Sequence, residues 1–442
     1  MSRSNLEITP SNVLSDGKIS FRRGNPVIQF LIGAQERHLI GKSVRFCGKF
    51  RCRLSDTDGA GAFVGSTGNG AQLSIDSRLG VYGCIQQVVI RSAETHQVIE
   101  HIRHYNRMMA SYLPAVSSEQ DALTHNFANS LQFPNYQASK VSVVNCPSQV
   151  QGNSFCLPLV CGLLNGVSNI PLSAETGLKG LLIEVHLDSD SNVLFSQSGS
   201  LTNLSDASYE LSDVKLVAEV LDDTAGQQKE STFEYNSISS YFTSLNSTNG
   251  VVNFNLGLSR VLGVFANFVQ SSKINNLAEN GMTTMPLINA LSGGSALLAR
   301  TKKLVFTRGG MKFPLEYDID YLGKDGQTYD SIDAQVMRNF LNAIKKFSSI
   351  DRLQTSVRST NYTQDHDPTP DGRGIVAVDG GQAYGVGIAY DVVSDAGVDF
   401  SQMPFGLQLT SELTSDNPNA MFLFVHSKQT LVFSAQGLQV MS

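Results

Sequence analysis

Three stretches carry residue types that could do chemistry. The first, His96-Gln97-Val98-Ile99-Glu100-His101-Ile102-Arg103-His104, holds zinc-ligand types. Its spacing refuses that chemistry. H-E-x-x-H needs a Glu directly after the first His, and H-x-x-E-H needs its Glu three residues on, whereas His96 and Glu100 are four apart with His101 off their face. The second, Asp188-Ser189-Asp190-Ser191-Asn192, opens like a calcium loop, but Val193 stands where Gly is needed and Gly199 where a bidentate Glu is needed. It reads as the turn of a hairpin between 180–187 and 193–196. The third, Asp365 to Asp371, has carboxylates enough for a cation yet reads as an exposed loop tip. The glycine-rich run Gly59 to Gly70 lacks the Lys-Ser or Lys-Thr of a phosphate loop and is followed by β-type residues, and no G-x-S-x-G occurs. The expectation is no catalytic residue, no cofactor and no metal site.

Cysteine chemistry is equally sparse. All six cysteines (Cys47, Cys52, Cys84, Cys146, Cys156, Cys161) lie in the first half without a C-x-x-C pair, and several sit inside apolar runs. They read as buried free thiols of a reducing compartment. What remains is binding. From Ser43 to Leu54 the sequence alternates, placing Val44, Phe46, Phe50, Cys52 and Leu54 on one strand face and Arg45, Cys47, Lys49, Arg51 and Arg53 on the other. With Arg22 and Arg23 these cations form a basic face. Its plainer reading is a solvated face that deters edge pairing; its functional reading is a polyanion contact, to DNA or anionic lipid. The net charge of -6 argues against a dedicated nucleic-acid binder.

These residues must be held by elements that the periodicity predicts. The length of 442 residues suits two domains, and charged residues are 16% against an average of about 25%, so much of the surface is neutral and polar. No apolar run approaches the roughly 18 residues of a membrane helix, and the first residues lack a signal-peptide core, which predicts a soluble, unsecreted chain. Val98, Ile102, Tyr105 and Met109 fall on one stripe, predicting an amphipathic helix over about 95–113. Its other face, His96, Glu100, Arg103, His104 and Arg107, would be free for solvent or a neighbouring subunit. A helical patch is expected near 118–131, and polar residues from Asp222 open a linker over 222–250. The order then repeats: β-type runs lead to a second helix over about 330–347, with Asp330 as its cap, an acidic first turn and Lys345 and Lys346 at its negative end. Each half offers about eight strands and one inserted helix. The fold class expected is therefore all-β, with jelly-roll sandwiches over 1–221 and 251–442.

The series GNPVIQFLIG, SVRFCGKFRCRL, SIDSRLGVYGCIQQVVIRSAETHQVIEHIRHYNRMMASYLP and IPLSAETGLKGLLIEVHL with ELSDVKLVAEVL resembles the double jelly-roll major capsid proteins of Polinton-like viruses and virophages, most strongly over 25–221. The resemblance implies a non-enzymatic structural protein of the virion. Three chains would make a pseudo-hexagonal capsomer that tiles an icosahedral shell, touching neighbouring capsomers, penton and minor capsid proteins, with DNA or internal lipid as partners of the basic face. Two other classes compete: a minor capsid or receptor-binding protein, and a two-sandwich carbohydrate-binding or carbohydrate-active protein. The absence of Trp weakens the carbohydrate class, since Trp best supplies large amphipathic contact surfaces.

Overall fold

The structure, a computed structural model, describes residues 3–13, 20–53, 73–76, 78–117, 140–142, 153–166, 169–173, 177–196, 207–222, 232–245, 249–282, 284, 300–314, 318–320, 334–347, 385–390, 396–412, 419–434 and 437–442. In the first half the strands are β1 (Arg3–Ile8), β2 (Ser20–Phe21), β3 (Val27–Ile32), β4 (Arg37–Arg53), β5 (Leu73–Asp76), β6 (Ile85–Ser92), β7 (Val98–Arg103), β8 (Lys140–Ser142), β9 (Asn153–Pro158), β10 (Ile170–Pro171), β11 (Leu181–Leu187), β12 (Leu194–Ser196) and β13 (Ser208–Asp222), with helix α1 (Tyr105–Val116) after β7. One sheet runs β1-β13-β4-β10, with β2 beside β13 and β9 beside β4. A second runs β3-β11-β6-β7, and a short third β12-β5-β8.

The alternation in β4 does what its pattern predicts. Val44, Phe46, Phe50 and Cys52 are all buried, and Phe46 meets Phe30 of the facing sheet edge-on at 6.1 Å. Such pairs add to the roughly 1.5–3 kcal/mol that burying each ring supplies. The strand starts at Arg37, earlier than its alternation shows, because Arg37 to Ile40 pair with β13 and His38 and Leu39 also with β10; Gly41 lets Leu164 approach, since a Cβ there would lie 2.3 Å from the Leu164 carbonyl oxygen.

The second half contains β14 (Thr232–Leu245), β15 (Asn249–Phe254), β16 (Val261–Gln270), β17 (Arg300–Arg308), β18 (Met311–Lys312), β19 (Asp318–Asp320), helix α2 (Ala334–Phe347), β20 (Val386–Ala389), β21 (Phe405–Glu412), β22 (Asn419–Ser434) and β23 (Gly437–Met441). Its sheets run β14-β22-β16-β20, with β23 beside β22, and β15-β21-β17-β18, with β19 beside β17. Successive strands β14 to β17, and again β20 to β22, step from one sheet to the other, which is the winding of a jelly roll. On α2, Phe340, Ala343, Ile344 and Phe347 are buried at i, i+3, i+4 and i+7. They dock on β16 and β20, and Gly387 admits the helix, since a Cβ there would sit 2.9 Å from the Ala343 Cβ. A single hydrophobic core runs through both halves.

Three sequence expectations change. Residues 98–103 of the supposed helix are strand β7, paired antiparallel with β6 from Gln87↔Arg103 to Arg91↔Val98. The branched residues Val98, Ile99 and Ile102 favour a strand, and the helix begins only after His104, whose φ of 55° breaks the strand. The expected linker over 222–250 contains the 14-residue strand β14. The supposed hairpin is absent, because β11 pairs with β3 and β6 while β12 pairs with β5; Asp190–Val193 is a helical turn between them. The 59–70 and 365–371 loops, the 118–131 patch, Cys146 and the Asp330 cap lie outside the described residues.

Candidate functional site

Among the described residues a dense polar constellation lies where the two jelly rolls meet. One outer sheet face of the second roll, carrying Phe265 and Asn267 on β16 and Phe422 on β22, is covered by both helices. Phe265 packs against Phe347 at 4.7 Å and Phe340 at 6.4 Å of α2. The Asn267 amide donates to the Arg107 carbonyl at 2.7 Å and the Ser111 hydroxyl at 2.8 Å of α1. That arrangement explains why every residue of β16 is buried.

Glu100 is the centre of the seam. Its carboxylate is 2% exposed and accepts hydrogen bonds from the Gly162 and Leu163 N–H groups at 2.9 Å each and from the Ile238 N–H at 2.7 Å. Two of those donors belong to the first roll and the third to β14 of the second. Burial pushes the carboxyl up to about 7, with the three hydrogen bonds pulling the other way. Gly162 is needed there, because a Cβ would lie 2.6 Å from the Asn236 carbonyl oxygen. Nearby, the Tyr235 hydroxyl lies 2.6 Å from Gln429 Oε1 and 2.8 Å from the Ile99 carbonyl oxygen, and the Arg103 N–H donates to Ser240 Oγ at 2.8 Å.

A second set of contacts joins α1, β5 and the Asp190–Val193 turn to residues 271–282 of the second roll. Arg107, buried, donates to the Gly281 carbonyl and places its guanidinium 5.4 Å from the Phe422 ring centroid; burial lowers it to about 10, so it stays charged at neutral pH. Asp76 accepts from Arg78 at 3.1 Å and from the Asn280 amide at 2.8 Å, while the Asn275 N–H donates to Asn192 Oδ1 at 2.7 Å. Asp188 accepts from the Asn106 amide at 2.6 Å. Its acceptors are filled by amides, and among the described residues no group of three or more His, Cys, Asp or Glu could hold a metal.

The residues expected on one helix face are thus dispersed. His96 is exposed in a turn with φ 56°, and Arg103 is exposed at the end of β7. His104 is half-buried with its ring 5.0 Å from Phe422. Glu100 and Arg107 are engaged by the second roll of their own chain, which corrects their assignment to a neighbouring subunit. Asn267, missed in the sequence, had one signal: it is the polar residue inside the apolar run 261–269.

On the basic face, Lys49 pairs with Asp213 at 2.7 Å and Arg51 with Glu210 at 2.6 Å. Arg45 is half-buried, Arg22 and Arg23 are exposed beside β2, and the Arg53 backbone sits opposite Ser208, its side chain lying outside the described residues. Carboxylates of β13 therefore offset part of the charge. Cys156, expected to be buried, is exposed, whereas Cys52, Cys84 and Cys161 are buried as expected.

No protein-family model matches the sequence, and no curated protein matches it. Solved structures do. The chain superposes on the Faustovirus major capsid protein with a TM-score of 0.60 at 10% identity, over 98% of this chain and 90% of that one. A chain of the Sputnik virophage structure gives 0.53 at 10% identity over 99% and 88%, and the mavirus major capsid protein 0.50 at 10% identity over 99% and 90%. At these identities the likeness is one of fold, and it spans both halves: the chain has the tandem double jelly-roll fold found in those viral major capsid proteins.

Proposed function

We propose that this chain is a structural major capsid protein whose two rolls form one rigid building block of an icosahedral virion, without enzymatic activity. The observation that carries the reading is the seam: Glu100, Arg107 and Asn267 lock two sandwiches side by side through buried hydrogen bonds, and this fold covers nearly the whole chain. Two rigidly paired rolls let three chains present near-sixfold edges, so the assembly is a homotrimeric, pseudo-hexagonal capsomer, in line with the closed symmetry usual for homo-oligomers. Neighbouring capsomers, penton and minor capsid proteins are its partners. The partly neutralised basic face leaves Arg22, Arg23 and Arg45 as the contacts to DNA or internal lipid. Electron microscopy of the purified protein tests the reading: six-lobed, threefold particles are expected, and isolated two-lobed particles at every concentration would overturn it.

A further inference from the structure

The outer face of the first roll holds a feature that the seam does not use. Cys47 on β4 stands directly opposite Cys156 on β9, and on its other side opposite Lys215 on β13. The two sulfurs are 2.7 Å apart. Directly opposed residues of an antiparallel pair have Cα atoms about 4.5–5.5 Å apart, inside the roughly 4.4–6.8 Å that a disulfide spans. The register therefore places the two sulfurs within reach of a covalent link. Cys47 lies beneath the surface at 7% exposure while Cys156 is open to solvent. Cys84 and Cys161, unlike Cys156, are buried, and burial pushes their thiols up.

We propose that Cys47 and Cys156 form a dithiol–disulfide site on the surface of the first roll, closed by exchange with a disulfide oxidant, either a small molecule or a protein. The Cys156 thiolate attacks one sulfur of the oxidant's disulfide, and one oxidant thiolate leaves. Cys47 then loses its proton and attacks the Cys156 sulfur, which releases the second oxidant thiolate. Two electrons pass from the protein pair to the oxidant, which ends as two thiols once protonated.

The surroundings assign the roles. The neighbouring Cys47 thiol, then the positive charges of Arg45 and Lys215, lower Cys156 below the usual thiol range, while Cys47, covered and sharing a proton with that neighbour, is pushed up. The exposed sulfur is the attacker and the covered one the resolver. The link joins positions 109 residues apart and so closes a ring of chain containing β7, α1 and Glu100. This inference does not rest on assembly into a shell.

The test treats the purified full-length chain with excess oxidised glutathione, followed by alkylation and peptide mass mapping. A Cys47–Cys156 linked peptide that dithiothreitol reopens is expected. Cys47→Ser should accumulate a glutathione mixed disulfide on Cys156, and Cys156→Ser should take up none at Cys47; melting curves of both variants check that they fold. Alkylation of Cys156 should show its pH midpoint below the value of about 8.5 of a free thiol. Linkage through other cysteines, no linkage in excess oxidant, or a Cys156 midpoint at the free-thiol value would overturn the proposal.

Discussion

At Glu100 two effects oppose each other. Burial favours the neutral carboxyl, whereas three N–H donors favour the anion, and burial wins, lifting the group from 4.5 to about 7. The folded chain then binds this proton more tightly than the unfolded chain. Glu100 therefore stabilises the fold fully below about pH 4.5 and loses that contribution as pH rises through about 7. At about 1.36 kcal/mol per pH unit, the gap is worth about 3 kcal/mol. Glu100→Gln keeps one oxygen for Gly162 and Ile238 but turns an NH₂ toward the Leu163 N–H, a fixed cost of about 1–3 kcal/mol that does not titrate. Urea unfolding of wild type and variant from about pH 5 to about pH 8 separates the two effects. The wild-type advantage should shrink by about 2–3 kcal/mol across that range. A constant advantage, or one that grows with pH, would show that the N–H donors keep Glu100 ionised and that the reasoning about burial is wrong.

The seam and its neighbours make further predictions. Gly162→Ala forces a Cβ to within 2.6 Å of the Asn236 carbonyl oxygen and should cost about 1–3 kcal/mol in thermal or urea unfolding. Phe265→Ala empties the aromatic knot formed with Phe340, Phe347 and Phe424; it should cost about 3–5 kcal/mol, and hydrogen exchange should quicken in α2 before the rest of the second roll. For the basic face, replacing Arg22, Arg23 and Arg45 together by Glu should flatten the slope of log K against log salt for duplex DNA by about one per lost phosphate contact; an unchanged slope would place any DNA contact elsewhere.

What the sequence made legible was local. The alternation from Ser43 to Leu54 marked a half-buried strand, and the run 330–347, with an acidic start and Lys345 and Lys346 at its end, marked a helix whose Phe340, Ala343, Ile344 and Phe347 meet the apolar core. The errors fell where distant partners decide. Val98 to Arg103 satisfies helical and extended spacing alike, and its strand form depends on pairing with β6 and burial under β14. Glu100 looks like a solvated charge because its donors lie 62, 63 and 138 residues away. Asp188 looks like a turn residue, yet its partner Asn106 is 82 residues distant. The Cys47–Cys156 pairing is hidden for the same reason. No local rule carries that information; register between remote strands does.

The central claim is that this double jelly roll is the subunit of a threefold building block. Native mass spectrometry of the purified chain over a wide concentration range tests it directly. Three 47.8 kDa chains should appear together at about 143 kDa as the dominant species. A single species at the mass of one chain, at every concentration, would contradict the account.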